Sequence, residues 1–315
     1  MDSEYLERAL ELAEKGRGTT HPNPVVGAVL VRDGAVVGEG WHERRGEPHA
    51  EVHALRVAGE RARGATLYVS LEPCSSHGVT PPCVDAVIKA GVSKVVIGAL
   101  DPNPLMAGGI DSFRAAGIEV DVVASFEARR QNEAWRTWVA LGRPFVTYKV
   151  AISLDGRVVV PGRRWVTGEE SRRRVHELRA ASDAVAVGMG TVRADMPRLD
   201  ARDAPAVRQP RRLAFGRGPL PEGSELELRS GALAEELAIL ASEGVQSLLL
   251  EGGPTLATAF LGEDLVDKLL VFVAPVVAGD GPYLLSDVGA PIDLHRLTAA
   301  AVGDDVLLEA YVNAP

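Results

Sequence analysis

The sequence predicts an α/β protein with two domains. A chain of 315 residues has room for about two domains with separate cores. Short apolar runs typical of buried strands alternate along it with segments of helical period, which is the pattern of α/β folds. A helical segment ending at Leu141 is followed by Gly142-Arg143-Pro144, a sequence that interrupts regular structure. We therefore expect a first domain over residues 1–142 and a second over residues 143–315.

The composition is that of an ordinary soluble protein and argues against several classes of function. The chain is 46% hydrophobic and 24% charged, with 33 glycines and 20 prolines. Its formal net charge of −9 argues against a nucleic-acid partner, which requires a basic surface. No basic and then apolar leader opens the chain, and no apolar run approaches membrane-spanning length. We therefore expect a cytoplasmic protein with no membrane partner.

The first domain is predicted as alternating helices and strands. Apolar spacing indicates a helix over Ser3–Glu14, and Asp33-Gly34 is a hairpin signal between two apolar runs. Glycine closes most of the helical segments that follow. The later elements expected are helix 50–58, strand 65–71, helix 84–90, strand 92–100 and helix 125–141.

A candidate zinc site contains both cysteines of the chain. His49, Cys74 and Cys83 each follow a proline, and one imidazole with two thiolates forms a tetrahedral zinc site whose fourth position stays open for water. Such a zinc lowers the pKa of its water to about 7. Glu51, two residues after the histidine, is not needed as a ligand and is free to move protons. The H-x-E…P-C pattern is that of zinc-dependent nucleobase deaminases, with the second cysteine displaced along the chain.

The alternative is a pair of buried thiols that act as small hydrophobic side chains. A disulfide is disfavoured without a secretory context. The joint occurrence of the motifs favours zinc, as does the helical sequence after His49 and Cys83. A helix N-terminus presents free N–H groups and a positive dipole end, which stabilise thiolates.

Other polar residues near this motif have two interpretations each. Asn23 lies where a proline-fixed loop enters a strand, and it is either a contact to a base edge or an ordinary turn residue. His42 is a contact to ribose or phosphate, or a surface histidine. His53, one turn after His49, is expected to pack. Asp101-Pro102-Asn103-Pro104 follows a strand, at the sheet edge where α/β proteins bind ligands.

Four motifs carry a family resemblance: His21-Pro22-Asn23-Pro24-Val25-Val26-Gly27, Gly46-Glu47-Pro48-His49-Ala50-Glu51-Val52-His53-Ala54, Leu71-Glu72-Pro73-Cys74-Ser75 and Thr80-Pro81-Pro82-Cys83. They resemble the N-terminal domain of the bifunctional riboflavin-biosynthesis deaminase/reductase family. The resemblance implies a cytidine-deaminase-like αβα domain. It also implies deamination of 2,5-diamino-6-ribosylamino-4(3H)-pyrimidinone 5′-phosphate, with Glu51 as the catalytic residue. The expected substrate contacts are Asn23, His42, Ala50, His77, Asp101 and Asn103.

One departure from that family concerns the substrate phosphate. The family has His and then Lys or Arg in the loop between the cysteines, where this chain has Ser76 and Val79 and keeps only the adjacent His77. Losing a cation there removes a charge-assisted hydrogen bond of about 1.5–3 kcal/mol. An enzyme acting on an altered or dephosphorylated pyrimidine is therefore an alternative.

The second half resembles the reductase domain of the same family, which is similar in fold to dihydrofolate reductase. The motifs are Phe145–Ser153, Trp165-Val166-Thr167, the run from Gly188 to Asp195, and Leu250–Leu256. From the residues alone, the buried strand 245–250 enters Gly252-Gly253 and a helix, a turn that lets a pyrophosphate approach free N–H groups.

The resemblance implies NADPH as cofactor and a homo-oligomer, a dimer or a tetramer. The expected NADPH contacts are Ala151, Trp165, Thr191, Asp195, Gly253, Pro254 and Thr255. The expected contacts to the ribosyl phosphate substrate are Lys149, Arg179, Leu199, Arg202 and Glu251. The alternatives are a solvated helix charge for Arg179 and a core aromatic for Trp165.

The reductase half is shorter than the family pattern near residues 215–232, where about one βα unit is missing. That region helps to hold the adenosine half of NADPH. Arg211, Arg212 or Arg217 then binds the 2′-phosphate, or all three form a solvated basic cluster. The predicted protein is a zinc deaminase followed by an NADPH-dependent reductase. A chain with one degenerate domain kept as a scaffold is the further alternative.

Overall fold

A computed structural model describes residues 2–78, 80–204, 208–285 and 287–314. The chain forms two compact units, of which one ends at Leu141 and the other begins at Gly142. Each unit contains its own sheet. Among the described residues, no helix is both long enough and apolar enough to cross a membrane.

The first unit is a five-stranded sheet with helices packed on it. Strand β1 pairs antiparallel with β2 and β3, and β3, β4 and β5 are parallel, in the order β2-β1-β3-β4-β5. The elements are α1 (Asp2–Glu14), β1 (Gly27–Arg32), β2 (Ala35–Trp41), α2 (Ala50–Ala58), β3 (Thr66–Val69), α3 (Cys83–Ala90), β4 (Lys94–Ile97), α4 (Gly109–Ala115), β5 (Glu119–Val122), α5 (Phe126–Gln131) and α6 (Glu133–Leu141).

Two glycines set the distance between α2 and the sheet. Gly38 and Gly40 are two residues apart on β2 and therefore lie on the same face of the sheet. A Cβ atom on Gly38 would lie 2.3 Å from the carbonyl oxygen of Ala54, and one on Gly40 would lie 2.5 Å from that of Ala50. The absence of side chains lets the first turn of α2, which follows His49, lie directly on the strand.

The single helix predicted over residues 125–141 is wrong, because the structure has two helices that meet at Asn132. The buried Asn132 side chain forms both backbone hydrogen bonds of Val25: Oδ1 accepts from its N–H and Nδ2 donates to its carbonyl, each at 2.9 Å. The break therefore fixes the loop that carries Asn23. Helical periodicity alone gives no sign of such a pairing.

The second unit is an eight-stranded mixed sheet in the order β12-β13-β11-β6-β10-β7-β8-β9. Strands β11, β6, β10, β7, β8 and β9 are parallel, and the hairpin of β12 and β13 joins β11 antiparallel. The elements are β6 (Phe145–Ser153), α7 (Glu169–Ala181), β7 (Ala184–Gly188), α8 (Met189–Asp195), β8 (Arg211–Phe215), β9 (Glu227–Arg229), α9 (Leu233–Ser242), β10 (Ser247–Leu250), α10 (Pro254–Gly262), β11 (Lys268–Ala274), β12 (His295–Val302) and β13 (Asp305–Tyr311).

The parallel strands place several loops at one edge of this sheet. Because Leu250 pairs with Ala186, and Gly188 pairs with Phe215, the chain leaves β10, β7 and β8 at the same edge. The turns after these strands start the helices α10 and α8 and the loop from Gly216. Ligands of open α/β sheets bind at this edge.

Candidate active sites

Three elements of the first unit bring a histidine and two cysteines together. His49 is the N-cap of α2, Cys74 follows β3, and Cys83 opens α3. The His49 Nδ1 atom lies 3.1 Å from the Cys83 sulfur and 3.6 Å from the Cys74 sulfur. All three candidate ligand atoms lie within 4.8 Å of one another, as a single bound metal ion requires.

The electrostatics of the two free thiols fit a divalent cation. Hydrogen bonding with the Cys83 thiol, followed by that with the His49 ring, lowers the pKa of Cys74 to about 4 against the opposing effect of burial. The same contact between the thiols, together with burial, raises the pKa of Cys83. The first thiolate therefore forms readily, whereas the second requires a neighbouring positive charge. Zinc supplies that charge and takes two thiolates and one imidazole as ligands.

Glu51 lies in the first turn of α2 and is only 2% exposed. Burial raises the pKa of its carboxyl group. Its Oε2 atom is buried and has no hydrogen-bond partner among the described residues. A carboxylate oxygen that is buried and unsatisfied is costly unless a ligand, a metal-bound group or water meets it. The arrangement fits a proton-transfer group beside a metal centre.

Sequence reasoning missed Glu72, the buried residue two positions before Cys74. One Glu72 oxygen accepts hydrogen bonds from the backbone N–H groups of Gly108 and Gly109, at 3.2 and 3.1 Å. The other accepts from the Asp101 N–H at 3.3 Å. Glu72 thus ties the loop after β4 to the segment that carries Cys74. Its position next to a Pro-Cys motif is the signal that would have found it.

Asn23 and His42 form a pair beside the metal centre. His42 is 2% exposed, and its Nδ1 lies 3.4 Å from the Pro48 carbonyl oxygen. Because a carbonyl oxygen only accepts hydrogen bonds, Nδ1 is the ring nitrogen that carries the hydrogen. Its Nε2 is therefore the acceptor for the Asn23 amide nitrogen at 3.3 Å. Burial, and then the charge of His49, lower the pKa of His42 and keep it neutral. Both ring nitrogens of His42 therefore have hydrogen-bond partners within the protein. The side-chain oxygen of Asn23 takes no part in the hydrogen bond to His42.

The other expected substrate contacts of this unit have different environments. Ala50 is fully buried at the start of α2, and His77 is exposed. Asp101 accepts a hydrogen bond from the Asn103 N–H at 2.7 Å, and burial raises the pKa of its carboxyl group to about 6. Val79, the residue expected to replace a family cation, lies outside the described residues.

A mostly buried ion-pair cluster, whose side chains are 9–15% exposed, lies at the end of β10 in the second unit. Glu251 accepts from Arg179 through both of its oxygens, at 2.6 and 2.9 Å, and lies 3.7 Å from the Lys149 ammonium. Burial on its own would raise the pKa of Glu251, but the two cations lower it. Burial lowers the pKa of Lys149. The structure therefore brings three of the five expected substrate contacts together.

Of the remaining two, Arg202 reaches the same cluster through Asp200, and Leu199 is the residue before Asp200. The Asp200 carbonyl oxygen accepts from Arg179 at 3.2 Å, and its carboxylate accepts from Arg202 at 2.5 Å. Leu199 is buried and has left-handed backbone, with φ of 55°. This conformation is unfavourable for a bulky residue and occurs where the surrounding structure imposes it.

The expected cofactor residues lie mostly at the carboxyl edge of the parallel strands. Gly253 is the N-cap of α10, and Pro254 and Thr255 form its first turn. A Cβ atom on Gly253 would lie 3.7 Å from the Thr191 hydroxyl, so the turns after β10 and β7 adjoin. The first N–H groups of a helix have no partner within it, which suits a pyrophosphate.

Three further expected cofactor contacts are spread over the unit. Ala151 lies near the end of β6, and Asp195 is exposed at the end of α8. Trp165 is 53% exposed and lies beneath the guanidinium groups of Arg164 and Arg172, so the alternative of a core aromatic is wrong.

The structure separates the three arginines considered for the 2′-phosphate. Arg211 and Arg212 open β8 and pair with glutamates: Arg211 with Glu227 and Glu243 at 2.6 and 2.7 Å, and Arg212 with Glu225 at 3.1 Å. Arg217 follows β8 at its opposite end, at the edge where the glycine turns lie. The Arg217 carbonyl oxygen accepts a hydrogen bond from the Arg193 guanidinium. Neither Arg193 nor Arg217 forms an ion pair within the described part of the chain.

Comparison with known proteins identifies both units. The cytidine and deoxycytidylate deaminase zinc-binding region matches residues 1–99, and the RibD C-terminal domain matches residues 144–308. The riboflavin biosynthesis protein RibD of Aquifex aeolicus is 43% identical, over 98% of this chain and 98% of its own. That alignment runs over 353 positions, so it contains gaps opposite this chain of 315 residues. RibD of Escherichia coli K12 is 41% identical, over 88% of this chain and 89% of its own.

Solved structures agree along the whole chain. RibD of Acinetobacter baumannii has a TM-score of 0.85 at 36% identity, and covers 98% of both chains. The diaminohydroxyphosphoribosylaminopyrimidine deaminase/5-amino-6-(5-phosphoribosylamino)uracil reductase of Thermotoga maritima has a TM-score of 0.84 at 35% identity, with the same coverage.

The fold and the two sites define a bifunctional enzyme, a zinc-dependent hydrolytic deaminase followed by an NADPH-dependent reductase. It acts on a small-molecule substrate. The chain belongs to the RibD family of riboflavin-biosynthesis proteins. The predicted fold class is confirmed: a cytidine-deaminase-like domain precedes a dihydrofolate-reductase-like one. Zinc and NADPH are confirmed as the cofactors.

Proposed function

We propose that residues 1–142 deaminate 2,5-diamino-6-ribosylamino-4(3H)-pyrimidinone 5′-phosphate. Residues 143–315 then reduce the ribosyl group of the deaminated product to ribityl. The observation that carries the proposal is the buried, unpartnered Glu51 oxygen beside the group of His49, Cys74 and Cys83. The boundary between the compact units, at Leu141 and Gly142, supports this division of the chain.

In the deaminase unit, His49, Cys74 and Cys83 hold the zinc, which when bound acts as a Lewis acid and lowers the pKa of water. Glu51 takes a proton from the attacking water and gives one to the amino group, which leaves as ammonia. Asn23 presents its amide oxygen to the pyrimidine edge, and His42 holds Asn23 in place through the contact at 3.3 Å. Ala50, His77, Asp101 and Asn103 complete the proposed substrate pocket.

In the reductase unit, the cluster around Glu251 binds the ribosyl phosphate substrate. Glu251 forms two short hydrogen bonds to Arg179 but lies 3.7 Å from the Lys149 ammonium. Lys149 is therefore the cation of this cluster that is better placed to bind the substrate phosphate. Arg179, Leu199 and Arg202 form the rest of this pocket. NADPH, when bound, supplies a hydride, and its proposed contacts are Ala151, Trp165, Thr191, Asp195, Gly253, Pro254 and Thr255.

The experiment that tests the substrate assignment compares two pyrimidines. Ammonia release and NADPH oxidation are measured on the 5′-phosphorylated pyrimidine and on its dephosphorylated form. We expect a higher kcat/KM for ammonia release from the phosphorylated compound, followed by one NADPH oxidised per ammonia. Because Ser76 and Val79 stand where the family has cations, the second candidate is a deaminase for a pyrimidine without that phosphate. A preference for the dephosphorylated compound would support this candidate and reject the first.

Arg217→Ala is expected to weaken NADPH binding about tenfold while leaving NADH binding unchanged. The 2′-phosphate distinguishes the two nucleotides, and a charge-assisted hydrogen bond is worth about 1.5–3 kcal/mol, with the lower end applying to an exposed arginine. Nucleotide Kd values from fluorescence titration provide the measurement. The matched control is Arg211→Ala, because Arg211 lies at the other end of β8 and pairs with Glu227 and Glu243. Equal losses for NADPH and NADH would reject the proposed contact.

The proposal includes three further features of the protein. The reductase unit is shorter than its relatives near residues 215–232 in this proposal, and the gaps opposite this chain show that it lacks residues that the Aquifex protein has. A homo-oligomer, either a dimer or a tetramer, is supported by the outer strand β12, whose residues are almost all exposed. The cytoplasmic location expected from the sequence stays a prediction.

A further inference from the structure

The His49 ring uses its two nitrogens for different partners. Nδ1 faces the sulfurs of Cys83 and Cys74, at 3.1 and 3.6 Å. Nε2 lies 3.3 Å from the hydroxyl oxygen of Thr80. This contact was not anticipated from the sequence, in which Thr80 appears only as the first residue of the Thr80-Pro81-Pro82-Cys83 motif.

We propose that Thr80 is a positioning residue for the metal centre, because its hydroxyl accepts the Nε2 hydrogen of His49 and so presents Nδ1 to the metal. A neutral imidazole has one protonated nitrogen and one free nitrogen, and a metal ligand must use the free one. A partner that accepts from the other nitrogen fixes both the tautomer and the ring orientation.

The chain segment around Thr80 is built to hold that hydroxyl in place. Thr80 precedes Cys83 by three residues, and Pro81 and Pro82 between them have restricted backbone torsions. The Thr80 carbonyl accepts from the Gly78 N–H at 3.2 Å, and the Cys83 N–H donates to the Cys74 sulfur at 3.4 Å. The segment that delivers the second thiolate therefore also delivers the partner of the histidine.

The side chain is half-buried, so a substitution that removes the acceptor does not open a large core cavity. Thr80→Val keeps the shape of the side chain and removes the oxygen. Thr80→Ala removes the oxygen with a smaller side chain, which guards against a steric artefact of valine. Thr80→Ser keeps the hydroxyl and is the matched control.

The test measures zinc affinity of each full-length variant by competition with a chromophoric chelator. Loss of an outer partner of a histidine ligand weakens metal binding by about 10- to 100-fold. We expect that loss for Thr80→Val and Thr80→Ala, and an affinity within about threefold of wild type for Thr80→Ser. NADPH oxidation with the already deaminated pyrimidine, a property of the other unit, is expected to be unchanged in all three.

The inference rests on the proposed metal ligands, and the same titration separates the two claims. A wild-type chain that binds no zinc would reject the ligands themselves. Wild-type affinity in Thr80→Val and Thr80→Ala would reject only the role of Thr80. Equal losses in Thr80→Ser and Thr80→Val would also reject it, because they would show that side-chain packing rather than the hydroxyl matters. Cobalt substitution gives a second readout, since a displaced imidazole changes the visible spectrum of the bound ion.

Discussion

Glu51→Gln is expected to lower kcat for ammonia release by about 10²- to 10⁴-fold, the range lost when a general acid–base group is removed. Glutamine has almost the same shape as glutamate but cannot take up or deliver the proton. The Glu51 carboxylate is 2% exposed and has a buried oxygen without a partner among the described residues, so this oxygen is available to exchange a proton with a bound ligand. The measurement is the initial rate of ammonia release at saturating substrate.

Two controls accompany Glu51→Gln. Glu47→Gln changes an exposed glutamate in the same segment and should leave the rate within about twofold, as expected for a surface site without a special role. Zinc content and NADPH oxidation with the deaminated pyrimidine should match those of wild type in both variants. A Glu51→Gln enzyme that keeps a tenth or more of the wild-type rate would contradict the assigned role.

Glu251→Gln is expected to destabilise the second unit by about 3–5 kcal/mol, because removing one partner of a buried ion pair leaves uncompensated charge. The variant would leave Arg179 and Lys149, whose side chains are only 13% and 15% exposed, beside a neutral amide. The two activities report the two units separately. NADPH oxidation, expressed relative to each protein's own rate without urea, should therefore be lost at a lower urea concentration in Glu251→Gln than in wild type. Ammonia release should be lost at the same urea concentration in the variant as in wild type.

Glu227→Gln is the matched control for Glu251→Gln. The Glu227 side chain is 45% exposed and pairs with Arg211, and an exposed pair is worth at most about 1 kcal/mol. The pH dependence gives a second check. Because its cations lower the pKa of Glu251, its contribution is present at neutral pH and is lost as the pH falls below the ordinary value of 4.5. Equal urea sensitivity of the two variants would show that the cluster does not stabilise the unit.

Much of the local structure follows from the sequence because apolar periodicity and glycine or proline boundaries determine it. The helix predicted over residues 50–58 has the predicted limits. The single helix over residues 125–141 fails because its break depends on Asn132 bonding the backbone of Val25, far away in the sequence. A contact between distant residues leaves no periodic signal.

In the candidate sites, the metal ligands could be predicted from sequence motifs, whereas the contacts that support them could not. Cysteine count and motif spacing point to His49, Cys74 and Cys83, since few other arrangements explain those residues together. The motifs mark Glu72 and Thr80 as neighbours of the cysteines, but the contacts that these two residues make could not be predicted, because they depend on how loops fold over one another. Likewise, Arg211 and Arg217 lie six residues apart in sequence but at opposite ends of β8. Arg211 therefore pairs with glutamates, whereas Arg217 lies at the sheet edge that has the glycine turns.

The central claim is that one chain contains two independent sites, with zinc serving only the first. The most direct measurement follows both half-reactions in one preparation before and after a chelator strips the metal. We expect one zinc per chain at the start, and loss of ammonia release on stripping that returned zinc restores. NADPH oxidation with the deaminated pyrimidine should stay at the wild-type rate throughout. Ammonia release that persists in zinc-free protein, or reductase activity that disappears with the metal while the protein stays folded, would contradict the two-site account.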